Sequence, residues 1–79
     1  MIKIDSVVLD AETGKIVVNF TYDLLDGTVE KSSIAVSPLT TRDAVERMVK
    51  AAVFKRRVEV NFQDVKQLEN SEIESVASI

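Results

Sequence analysis

The sequence predicts an α+β fold: a three-stranded antiparallel meander, one packed helix and a further strand, in the order β-β-β-α-β. Three observations carry that prediction. Residues Ile16 to Leu24 alternate between apolar and mostly polar side chains, the period of a half-buried strand. Turn residues flank this stretch, with Gly14 before it and Asp26-Gly27 after it. Beyond Pro38 the period changes, and Val45, Met48, Val49 and Ala52 recur at steps of three and four, which form one face of a helix.

In chain order, Val7-Val8-Leu9 is a β-rich run that Asp10 to Lys15 joins to the alternating strand. Gly14 is placed to adopt a left-handed conformation closing a type I turn and bulge. Ile16, Val18, Phe20, Tyr22 and Leu24 then line one face of the second strand. Asp26-Gly27 suits the positive φ angles of a type I′ turn, and Thr28 to Val36 forms the returning strand. Its middle, Glu30-Lys31-Ser32-Ser33, is polar on both faces, as expected of a sheet edge open to another strand. Pro38 ends the meander because it has no N–H to donate, and Thr40 or Thr41 caps the helix that follows.

That helix is expected from Arg42 to about Phe54, with Met48 in the core. Arg57 to Phe62 alternates again through Val58, Val60 and Phe62 and reads as the fourth strand. From residue 64 onward two patterns compete. Val65, Leu68, Ile73 and Val76 suit a short helix, whereas Ile73, Ser75, Ala77 and Ile79 suit a strand. No repeat, low-complexity tract or linker divides the chain, so residues 1–79 are read as one domain.

At 79 residues the core must be efficient or shared with a partner, since so small a domain gives little surplus stability. The chain has no Cys and no His. Disulfides and thiolate or imidazole zinc sites are therefore excluded, and no cofactor or metal is expected. No apolar run approaches the ~20 residues of a membrane span. The N-terminal Ile2-Lys3-Ile4-Asp5 alternates instead of forming a signal core, so a cytoplasmic location is expected.

Charge is sorted into blocks. Residues 1 to 30 carry six acids against two bases, residues 31 to 60 seven bases against three acids, and residues 61 to 79 four acids against one base. The formal net charge of −3 thus conceals a basic middle, and a dipolar surface of this kind guides encounters with a charged partner or another copy.

The motifs that hint at known chemistry reduce to turn chemistry. Thr13-Gly14-Lys15 lacks the earlier Gly, the following Ser or Thr and the helix that a phosphate-binding loop needs. Asp10, Glu12 and Gly14 lead into a strand instead of a twelve-residue calcium loop closed by Glu. Asp23 with Asp26, and Glu72 with Glu74, are the available carboxylate pairs, and Tyr22 the one phenol. A turn and an acidic tail favour solvation over acid-base work, and an enzyme is not expected.

The candidate partner-binding residues are Arg47, Lys50, Phe54, Lys55, Arg56 and Arg57. Cations at a helix C-terminus complement its partial negative charge, and the same group forms a patch for an acidic partner. Phe54 stands apart, because continued helix geometry places it opposite the apolar stripe, beside Lys50 and Arg47. Either it turns inward as the helix unwinds, the favoured reading, or it is an exposed aromatic anchor.

The meander, the Pro break and the single helix resemble in architecture the compact accessory proteins of phages and other mobile elements, inhibitors among them. No residue motif carries that likeness, and it assigns no site. The function expected is a non-catalytic protein-protein interaction or assembly module, using a protein partner or self-association and not nucleic acid. The alternative is an inhibitor of a nucleic-acid-handling complex, acting by direct contact or by acidic mimicry of phosphates.

Overall fold

A computed structural model describes residues 1–73. It contains three strands, β1 (Ile2–Leu9), β2 (Ile16–Asp23) and β3 (Val29–Val36), followed by one helix, α1 (Arg42–Lys66). The strands form an antiparallel sheet in the order β1-β2-β3. This is the expected small α+β meander with a helix packed on one face.

β2 is central because its alternation suits burial on one side. Val18, Phe20, Tyr22 and Leu24 are all buried beneath α1, with Val49 and Val53 of the helix completing their cluster. The Phe20 and Tyr22 rings lie 5.8 Å apart in a tilted arrangement. β3 is an edge strand, as its two-sided polarity predicts, and only Val36 is fully buried from it. β1 is the opposite edge. Its pairing with β2 shifts register between Ile4 and Ser6, leaving Asp5 as an extra residue. That bulge places Ile2, Ile4, Val7 and Leu9 opposite Tyr22, Phe20, Val18 and Ile16, all on the helix side of the sheet.

Both hairpins depend on a left-handed glycine. Gly14 has φ +70° and its amide donates to the Asp10 carbonyl at 2.7 Å, while the Asp10 carboxylate accepts from the Glu12 amide at 2.9 Å. In the second hairpin Gly27 has φ +88°, but no other residue of the turn has positive φ. A type I′ turn needs two such residues, so the expected type is corrected. The loop is Leu25-Asp26-Gly27, bounded by the Leu24 amide donating to the Thr28 carbonyl at 2.8 Å. Asp26 closes it with its carboxylate, which accepts from the Thr28 amide and hydroxyl.

Thr41 caps α1, its hydroxyl accepting from the Ala44 amide. The helix then runs 25 residues to Lys66, which overturns the fourth strand at Arg57 to Phe62 and the helix end at Phe54. The physical reason is the absence of punctuation. A helix-to-strand switch needs a turn, and Phe54-Lys55-Arg56-Arg57 contains no Gly, Pro, Asn or Asp. Ending the helix there would also leave carbonyls unpaired, whereas the helix penalties of Val and Phe are only a few tenths of a kcal/mol each. α1 runs through Asn61 and Asp64 to Lys66 and gives way to a turn over Gln67 to Asn70, where Asn70 is left-handed at φ 66° and the Ser71 amide donates back to the Leu68 carbonyl. Of the competing tail patterns, Val65 lies in α1, Leu68 in the turn that ends at Asn70 and Ile73 in neither helix nor strand, while Ser75, Val76, Ala77 and Ile79, on which the choice between them turns, lie outside the described residues.

The helix lies along β2. Val45, Val49, Ala52, Val53 and Val60 face the sheet. At about 1.5 Å per residue α1 is roughly 37 Å long, against about 27 Å for an eight-residue strand. It therefore overhangs the sheet, and every described residue after Val60 is exposed.

Candidate interaction surface

α1 has two apolar sides. The inner side is the one packed on the sheet. Val58 follows Val49 by nine residues, which at about 100° per residue is a half turn, so it points straight away from the sheet. Phe54, Val58, Phe62 and Val65 share that outward direction and are 69%, 49%, 58% and 52% exposed. Phe54 does not turn inward. The helix continues past it, and the alternative of a surface aromatic is the one observed. Met48, expected in the core, is half exposed on the flank of the helix, while Val53, absent from the expected stripe, is buried.

The six candidate residues divide between the two sides. Arg56 turns toward the sheet, where its guanidinium donates to both oxygens of Glu30 at 2.9 and 3.0 Å and lies 3.7 Å from Glu59. The Tyr22 hydroxyl donates to the same Glu30 carboxylate at 2.8 Å. The hydrogen bonds from Arg56, followed by that from Tyr22, hold the Glu30 pKa down to about 2. The phenol of Tyr22 is pushed up, by burial first and by the bond to Glu30 second. Arg57 donates to the Asp23 carbonyl and carboxylate at 2.8 Å each. Asp23 also accepts from the amino terminus at 2.7 Å, the main cause of its lowered pKa. Adjacent arginines thus clasp the two strands of one hairpin, Arg57 at the end of β2 and Arg56 at the start of β3.

Lys50 makes an i,i+4 pair with Glu46 at 3.3 Å. Arg47 and Lys55 have no ionic partner among the described residues. The structure therefore leaves Arg47, Phe54 and Lys55 unengaged, holds Lys50 in an exposed pair within the helix, and commits Arg56 and Arg57 to the fold. Sequence reading missed Val58, Phe62 and Val65 as partners of Phe54 because the first two were assigned to a strand. Their steps of four, four and three were the available signal.

A second apolar surface lies beside β1, which α1 does not cover. A groove of about 590 Å³ runs between Ile2, Ile4 and Val7 on the strand and Val45 and Val49 on the helix, with Arg42, Glu46 and Lys50 at its rim. Of the two carboxylate pairs considered for acid-base work, Asp23 is engaged by Met1 and Arg57 and Asp26 by Thr28, while Glu74 of the other lies outside the described residues. Among the described residues, no helix is long and apolar enough to cross a membrane.

Comparison with family models, with curated proteins and with solved structures gave no match. The functional reading therefore rests on the chain's own geometry.

Proposed function

We propose that this chain is a non-catalytic protein-protein interaction or assembly module, acting in the cytoplasm. The observation that carries the reading is the second apolar side of α1. Phe54, Val58, Phe62 and Val65 stay exposed although the same helix already buries its opposite side. A helix needs one apolar stripe to pack on a sheet, and contiguous exposed apolar surface marks a place where another protein binds. Aromatic side chains at its centre are the type that supplies most binding energy.

The alternative, an inhibitor using acidic mimicry, would require free carboxylates on one surface. Asp23 and Glu30, two of its acids, are already tied to Arg57 and Arg56, so the apolar helix face is the better supported contact.

The test is the double variant Phe54→Gln and Phe62→Gln, read in two ways. Compared at a dilution where the parent is dissociated, its melting temperature should stay within a few degrees of the parent's, while the native-size complex purified from cells should collapse to the free chain. A large loss of stability with no change in assembly would assign both rings to folding and remove the reading.

A further inference from the structure

The proposed module leaves its partner unnamed, and the outward face of α1 specifies one. We propose that a second copy of this chain covers it, forming an antiparallel, two-fold helix pair with its axis at Val58. This rests on the interaction-module reading and adds the identity and direction of the partner.

The spacing of the face is palindromic. Counting from Val58, Ala51 lies seven residues before and Val65 seven after, Phe54 four before and Phe62 four after. A two-fold axis through Val58 exchanges these positions, so Phe54 of each copy meets Phe62 of the other and Ala51 meets Val65. Such self-complementarity is what an isologous contact requires. A parallel pair would instead stack each aromatic on its own copy and set Ala51 against Ala51, leaving a gap in the layer.

Charge selects the same direction. Eleven residues before Val58 stands Arg47, which has no ionic partner among the described residues; eleven after Val58, in the turn that follows α1, stands Glu69, which pairs with Lys66 at 2.7 Å and keeps its second carboxylate oxygen open. The antiparallel pair brings Arg47 of one copy to Glu69 of the other, at an end where Asp64, Glu69 and Glu72 outnumber Lys66. A parallel pair would juxtapose like charges and align the two helix dipoles unfavourably. The charge blocks of the sequence thereby acquire a structural use.

Surface area supports a partner of this size. The accessible surface is 6344 Å² for 8.8 kDa, against roughly 4,800 Å² for a compact monomer of that mass. One partner's share of a standard interface is about 800 Å². The face also points away from the sheet, so two copies stack as sheet, helix, helix, sheet without collision.

The absence of cysteine allows single thiols to report the arrangement. Purified protein should sediment as a dimer. Val58→Cys should oxidise to a covalent dimer, since the residue meets itself on the axis. Ala51→Cys and Val65→Cys should each fail to self-link, because their own copies lie about 21 Å away along the pair, far beyond disulfide reach. Mixed together, those two variants should cross-link. Val58→Glu should give a monomer with an unchanged helical circular dichroism spectrum. Self-linking of all three thiols would overturn the antiparallel arrangement. A monomeric parent protein would overturn self-pairing; if a native complex still depended on Phe54 and Phe62, the module reading would stand with a different partner.

Discussion

At the scale of single residues, Glu30 has the most demanding role, because it accepts from Arg56 and Tyr22 at once and so fastens the helix to the edge strand. Its folded pKa of about 2 lies below the ordinary 4.5. A carboxylate shifted downward contributes stability above its unfolded pKa, and that contribution is lost as pH falls from about 4.5 toward 2. Urea unfolding across pH 2 to 7 should show this acid limb in the parent protein and a flatter one in Glu30→Gln. A contrast between two phenylalanines tests the burial pattern. Phe20→Ala, in the core, should cost about 3–5 kcal/mol, whereas Phe54→Ala should change monomer stability by no more than about 0.5 kcal/mol. Equal costs would place Phe54 in the core. The phase of Phe54 was legible in the sequence because Val45 and Val49 fix the inward direction of the helix. Its true surroundings were not, since the residues that continue its stripe also alternate as a strand does.

At the scale of elements, legibility followed how many independent signals agreed. β2 had alternation, β-branched residues and a glycine turn at each end, and its residues face as expected. β1 was only half visible, because the bulge at Asp5 breaks the period of two and splits the strand into Ile2-Ile4 and Val7-Leu9 patterns. Residues Arg57 to Phe62 show the opposite failure. Alternation of Val58, Val60 and Phe62 mimics a strand, yet in a helix the same residues divide into Val60 inward and Val58 and Phe62 outward. Continuity of hydrogen bonding decided the outcome, since nothing between Arg42 and Lys66 interrupts it. Glu59→Pro should therefore cost about 3 kcal/mol and reduce the 222 nm signal of the C-terminal turns. An unchanged spectrum would show that these residues are not helical.

At the scale of the whole molecule, the basic block does not form one patch. Arg56 and Arg57 neutralise Glu30 and Asp23 from the acidic block, so part of the charge separation seen along the chain is cancelled where helix meets hairpin. The five remaining cations, Lys31 on β3 and Arg42, Arg47, Lys50 and Lys55 on α1, are spread over two elements and do not line one track for a phosphate backbone. Fluorescence anisotropy with duplex DNA should accordingly give affinity no better than the roughly 10⁻⁴–10⁻⁶ M of non-specific binders, and tight, salt-sensitive binding would reverse the order of the two functional readings. Which charges cancel and which stay free could not be read from block sums, because it depends on Arg56 and Arg57 turning toward the sheet while Arg47 and Lys55 point elsewhere.

The bulge in β1 makes the strand unequal in its tolerance of altered length. Loss of the Asp5 codon would join Ile4 to Ser6 and leave Ile2, Ile4, Val7 and Leu9 in unbroken alternation, all still on the helix side, at the cost of the bond between Asp5 and Thr21. Loss of a codon within β2 would invert every residue beyond it, because that strand has no spare residue to absorb the change. Positions along these 79 residues are thus not equally exposed to in-frame deletion: the first strand holds a reserve of one residue, and the central strand holds none.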